Sequence, residues 1–196
     1  MEKQIKLYRS LNALANVGSC VIFGGTEDRT IPLGELKETF ELQGSYYNRS
    51  FDGLRISNAK ELFDRCVAPL APGEVYIHIG QNDLHEDPAV FAQKYSELVQ
   101  HIRSTDKKCG IVIVGLKNPD NDPAVEQLNK HLEVIARNER CDFCDIAKQR
   151  VWNPKQAKEV VSFLYSIGFV RPLKQKRPLQ DIARILFCYE PHTSSE

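Results

Sequence analysis

The stretch VYIHIGQNDL, residues 75–84, decides the reading of this chain. Val75 to Ile79 is a run of β-branched, aromatic and apolar residues with one histidine, the composition of a strand buried on both faces. Gly80 stops the run, and Gln81, Asn82 and Asp83 follow at once. In an open α/β sheet, ligands bind just beyond the carboxyl ends of the strands. Asn82 and Asp83 therefore stand where a site is expected, provided that other strands lie beside this one.

The flanking sequence supplies them. Ser19 to Gly25 (SCVIFGG) is a short apolar run closed by two glycines, a second buried strand. Ser45 to Arg49 (SYYNR), 110–116 (GIVIVGL) and 141–146 (CDFCDI) complete five. Helical spacing of Ile5, Tyr8, Leu11, Leu14 and Ala15 predicts a helix over 2–16. A second helix is expected near Pro32, and Asn58 with Glu61 resembles a capping box for a helix to about Val67. Asp87-Pro88, Asp122-Pro123 and Asn153-Pro154 each offer a capping side chain followed by proline at the first helical position. These three helices are expected to reach Ser104, Arg137 and Ser166. Strands alternating with helices predict a parallel five-stranded sheet covered on both faces, a three-layer α/β/α sandwich. Residues 1–168 would form this domain, and 169–196 a basic connector and a short, docked C-terminal helix.

Composition bounds the function. The chain has 196 residues, with 26 basic and 26 acidic side chains, so charge gives no general case for nucleic acid. The local exception is Lys148 to Arg177, with eight Lys or Arg against one Glu; it reads as a solvated basic face or a binding patch. The start, MEKQIKLYRS, lacks the apolar core of a secretory signal, and no run reaches the length of a membrane helix. A cytoplasmic protein is expected, without membrane contact, and its six cysteines are expected to be reduced thiols. Cys141 and Cys144 form a CxxC, but in a strand positions i and i+3 face opposite ways. No metal site and no cofactor is expected.

The segments after the first three strands carry the chemistry. Gly24-Gly25-Thr26 follows the first, Asn48 to Gly53 (NRSFDG) the second, and Gly80-Gln81-Asn82-Asp83 the third. An alcohol, a glycine amide and an asparagine amide gathered at one sheet edge are the parts of an acyl-transfer site. The hydroxyl attacks a carbonyl, and the amides receive the charge that develops on oxygen.

In these blocks the chain resembles the SGNH or GDSL hydrolases. Their blocks are Gly-Asp-Ser, N-R-G-x-x-G and G-x-N-D. Residues 48–53 match the second with Ser50 in place of its first glycine, and residues 80–83 match the third completely. The resemblance spans about 18–167 and implies a flavodoxin-like sandwich. It also implies ester hydrolysis, on small acyl or O-acetyl ligands such as acylated sugars. Carried over by position, Thr26 stands as nucleophile, while Gly53 and Asn82 form the oxyanion hole with Asp83 in support.

The pattern breaks at the triad. Thr26 replaces serine and Gly25 replaces the block's aspartate; the Thr26 hydroxyl also reads as a cap on the following turn. The Asp-x-x-His-Pro of the family meets Arg150 and Asn153 before Pro154. His78 reads as a satisfied strand histidine, and His85, two residues past Asp83, is the substitute base nearest the expected site. Three readings stand: a weak esterase acting through Thr26, a silent relative that binds an acylated or anionic ligand, and a nucleotide-binding α/β protein. The last lacks any GxGxxG or GxxxxGK[ST].

Overall fold

A computed structural model describes residues 1–147 and 179–188. Five parallel strands lie in the order β2-β1-β3-β4-β5. They are β1 (Cys20–Gly24), β2 (Tyr46–Asn48), β3 (Glu74–His78), β4 (Gly110–Val114) and β5 (Asp142–Cys144). The helices are α1 (Glu2–Asn12), α2 (Leu33–Thr39), α3 (Ile56–Leu62), α4 (Pro88–Thr105), α5 (Pro123–Asn138) and α6 (Leu179–Phe187). The expected three-layer α/β/α sandwich is what the structure shows.

Alternation along the strands builds two cores. Val21, Phe23, Val75, Ile77, Ile111 and Ile113 point into a layer filled by α1, α3, α4 and α5. Ile22, Tyr76, Val112 and Val114 point the other way, against α2 and α6. In the first layer Phe51 is edge-on to both Tyr8 and Phe23, with centroids 5.1 and 6.4 Å away. Burial of such a ring contributes about 2 kcal/mol. α6 inserts Ile182, Ala183 and Leu186 into the second layer.

Capping chemistry places the two long helices. Asp87 accepts from Ala89 and Val90 N–H, and Asp122 from Ala124 N–H, each with proline at the first helical position. α1 stops at Asn12, short of the expected residue 16, because the Asn12 side chain leaves the helix surface for tertiary partners. It donates to Cys66 O at 2.9 Å and accepts from Arg49 Nε at 2.9 Å. α3 starts two residues before Asn58. Asn58 is the third helical residue, and its side-chain oxygen accepts the Arg55 N–H at 3.0 Å. The reciprocal half of a capping box is therefore present, with Arg55 rather than Asn58 at the cap. Beyond Leu62 the helix widens into a π turn at Phe63–Val67 and tightens to a 3-10 turn at Ala68–Leu70.

Cys141 packs toward the first layer and Cys144 lies in the second, the divergence expected of a CxxC in a strand. All six cysteines lie among the described residues, and none is in a disulfide. Among the described residues no helix is long and apolar enough to cross a membrane. The helix expected from Asn153-Pro154, the Arg150 and Asn153 positions and the whole 148–177 basic segment lie outside the described residues.

Candidate functional site

Strand pairing brings the first two blocks together. Phe51 N–H donates to Gly24 O at 2.9 Å, and Arg49 N–H to Ile22 O at 2.8 Å, prolonging the β1–β2 ladder past its last paired residues. Ser50, fully buried, receives the Gly24 N–H on its hydroxyl oxygen at 3.2 Å. This gives a structural reason for a serine where the resemblance has glycine. Asn48 bridges the blocks, donating to Asp28 O at 2.6 Å and accepting Ser50 N–H at 3.0 Å. Arg29 and Asp52 pair across the same gap. Arg49 is buried between the rings of Tyr8 and Tyr47, with its guanidinium carbon 5.1 and 5.5 Å from their centroids. Burial lowers its pKa.

These contacts set Thr26 beside Gly53. Gly53 has φ +67°, a left-handed conformation that glycine adopts without strain, and its N–H points at Thr26 Oγ1 across 3.4 Å. Thr26 occupies the cap position of a short 3-10 turn, Glu27–Thr30, but its side chain makes no capping hydrogen bond, so the capping alternative does not hold. Among the described residues that Gly53 N–H is the hydrogen-bond partner of the Thr26 hydroxyl.

The third block closes on the second. Gly80, at φ +141°, turns the chain out of the sheet, where a Cβ would press on Leu128 and Leu116 at 3.1 and 3.2 Å. The Asn82 amide donates to Leu54 O, the residue after Gly53, at 2.9 Å. Asp83 turns inward. Its two carboxylate oxygens receive the Ile56 N–H at 3.3 and 3.2 Å, at the first residue of α3. Burial raises the Asp83 pKa, and the bond from Ile56 opposes that rise. His85 is exposed in the same loop and makes no hydrogen bond or ion pair with a described residue.

The sequence reading missed a buried dyad directly beneath this edge. His78 Nδ1 lies 2.9 and 3.0 Å from the two carboxylate oxygens of Asp28, two residues past Thr26. Only 1% of His78 and 4% of Asp28 is exposed. Asp28 Oδ2 also accepts the Gly25 N–H at 2.8 Å. The signal was available: a histidine inside a fully buried strand requires a polar partner, and Asp28 is an acid on the adjoining loop. Gln81 Nε2 lies 3.1 Å from each ring nitrogen of His78. Among the described residues no group of three or more His, Cys, Asp or Glu could hold a metal ion.

No family model matches the chain, and no curated protein matches it. Solved structures do. A GDSL-like lipase from Bacteroides thetaiotaomicron superposes with a TM-score of 0.60 at 16% identity, over 86% of this chain and 98% of its own. An acetyl xylan esterase gives 0.60 at 14% identity, over 86% and 96%. A lipase/acylhydrolase from Enterococcus faecalis gives 0.56 at 16% identity, over 66% and 77%. The chain thus has the SGNH/GDSL hydrolase fold.

Proposed function

We propose that the edge formed by Thr26, Gly53 and Asn82 binds a small acyl or O-acetyl group, or a related anion, and that the chain is a silent relative of the SGNH hydrolases. The observation that carries this reading is the surroundings of the Thr26 hydroxyl. It meets the Gly53 N–H at 3.4 Å and has no histidine or carboxylate hydrogen-bonded to it among the described residues. An alcohol without a general base is a poor nucleophile at neutral pH. The described residues bring together two His–Asp pairs, buried His78 with Asp28 and His101 of α4 with Asp64, and neither is hydrogen-bonded to Thr26.

A second reading, weak ester hydrolysis, draws on the same pair of atoms. A hydroxyl and an amide N–H side by side are an attacking group and an oxyanion donor, and such a remnant can retain ~10³-fold catalysis over water. Thr26 Oγ1 would bond to the acyl carbon as the ester C–O bond breaks, and the Thr26 proton would pass through His85 or water to the leaving alkoxide, which departs as alcohol. Water would then release the acid.

Hydrolysis of p-nitrophenyl acetate and butyrate by the wild type and Thr26→Ala separates the two. Equal rates agree with the silent protein, and a wild-type excess that Thr26→Ala removes establishes the esterase. Titration with acetate, followed by amide NMR, tests the binding claim. Thr26, Gly53 and Asn82 signals are expected to move together, and unmoved signals at saturating acetate would refute it.

A further inference from the structure

The helix that opens the chain turns an apolar row to solvent. Among the described residues seven large apolar side chains are exposed, and Leu7, Leu11, Leu14 and Val17 are four of them. Leu14 is 84% exposed and Val17 75%. Exposed apolar residues scattered singly are ordinary, but a contiguous set marks a surface that meets something.

The spacing that predicts α1 also explains the row. Three residues turn a helix by about 300°, so each step from Ile5 to Tyr8, Leu11 and Leu14 drifts by about 60° around the axis. Ile5 is buried, Tyr8 donates its hydroxyl to Ser50 O at 2.6 Å, and Asn12 is tied to Cys66 and Arg49. Leu14, half a turn from Ile5, faces away. Ala13 keeps helical angles, φ −64° and ψ −19°, and Leu14 N–H reaches Leu11 O at 3.1 Å, so the row continues past the end of α1. Leu7, Leu11 and Leu14 follow the i, i+4, i+7 spacing of one helix face, and Lys3 opens that face.

Charge selects the partner. Glu2 is the only acid between Met1 and Val17, and Arg65 holds both its carboxylate oxygens, at 3.0 and 3.1 Å. Lys3, Lys6 and Arg9 are exposed and form no ion pair with a described residue. A second copy laid on this ridge would add only like charge. A partner peptide would meet a ridge where helix recognition needs a groove. An anionic bilayer accepts a convex apolar row, and its headgroups meet the basic flank.

We propose that α1 and the turn after it form an interfacial anchor that seats the protein on an anionic lipid surface. Leu7, Leu11 and Leu14 enter the acyl boundary, while Lys3, Lys6 and Arg9 meet the headgroups. No described helix is long and apolar enough to cross a membrane, and none is needed, because such a helix lies in the plane of the interface. This replaces the expectation of no membrane contact, which rested on the lack of a spanning run. Tyr8 and Asn12 tie the same helix to Ser50 and Arg49, so the second block of the candidate site is attached to the anchor. The anchor stands whether or not the cleft binds an acyl group.

The test is flotation of the full chain with vesicles of phosphatidylcholine and phosphatidylglycerol in equal parts, against phosphatidylcholine alone. Binding is expected on the mixed vesicles, about a hundredfold weaker on the neutral ones, and weakened by salt. Leu7→Ser and Leu14→Ser alter exposed side chains, so their urea midpoints are expected to match the wild type while each weakens binding about tenfold. Val134→Ser, an exposed position on α5, is expected to leave binding unchanged. Should a leucine variant not fold, the wild type on nanodiscs that carry a spin-labelled lipid reports instead. Amide signals of residues 7–17 are then expected to broaden and those of α5 to persist. A chain that stays off mixed vesicles, leucine variants that float like the wild type, equal binding to both vesicles, or broadening centred elsewhere would each overturn the anchor. A dimer in sedimentation that Leu14→Ser makes monomeric would also overturn it and assign the ridge to a second copy.

Discussion

The amide nitrogen of Gly53 faces the hydroxyl oxygen of Thr26 across 3.4 Å, although 26 residues separate them in sequence. The β1–β2 pairing, the Asn48 bridge and the left-handed turn at Gly53 are jointly responsible. Space around Gly53 is open, with no heavy atom within 4 Å of where a Cβ would sit. Gly53→Ala therefore costs only the backbone strain at φ +67°, about 1 kcal/mol. Urea unfolding is expected to show that loss, together with a displaced Thr26 amide signal.

Gly24→Ala is expected to be far more damaging. Its Cβ would stand 2.0 Å from the Asp28 carboxylate, which is already committed to His78 and to Gly25 N–H. The overpacking and the loss of the buried His78 ring's hydrogen-bond partner together cost about 3 kcal/mol or more. The midpoint of urea unfolding measures it, and a variant as stable as the wild type would remove Asp28 from the account of β1.

Asp83 links the third block to α3. Asp83→Ala strips the acceptor from Ile56 N–H and is expected to cost about 1 kcal/mol, the usual loss of a helix cap. The pH dependence has a definite sign. Burial raises the carboxyl pKa in the folded state above its ordinary value, so the folded chain holds this proton over a pH range where the unfolded chain has released it. The stability contribution is fully present below the unfolded pKa and is lost as pH rises through the folded one. Asp83→Asn, which keeps the acceptor oxygen, is expected to flatten that slope in stability measured from acid to neutral pH.

The cysteines give a further check. Burial pushes the Cys144 thiol up to about 12 and that of Cys188 to about 11, far from thiolate at neutral pH. Titration with a thiol reagent is expected to count six thiols after unfolding and to reach Cys144 and Cys188 only slowly before it. Fewer than six would reveal a disulfide, contrary to the structure.

Strand composition, glycine stops and Asp-Pro caps made the sandwich legible, because each acts within a few residues. The approach of the three blocks was legible through their order along parallel strands: Thr26 meets Gly53, and Asn82 meets Leu54. That His78 needs a polar partner was legible from its buried strand, but that the partner is Asp28 was not, since the two lie 50 residues apart and neither stands in a motif. Side-chain direction was also hidden: Asp83 looked like a partner of Asn82, yet its carboxylate is spent on the N-terminus of α3. The start of α3 was misplaced because Asn58 can cap from either end of the box, and only tertiary contacts choose between them.

Covalent labelling with an alkyl fluorophosphonate, read by intact-protein and peptide mass spectrometry, tests the central claim most directly. The reagent reports whether a hydroxyl is activated, without regard to natural substrate. An unactivated alcohol beside the Gly53 amide leaves Thr26 unlabelled, and Thr26→Ser equally so, because no histidine or carboxylate among the described residues is hydrogen-bonded to that hydroxyl. A stoichiometric adduct on the peptide that carries Thr26 would contradict the account and establish a working nucleophile.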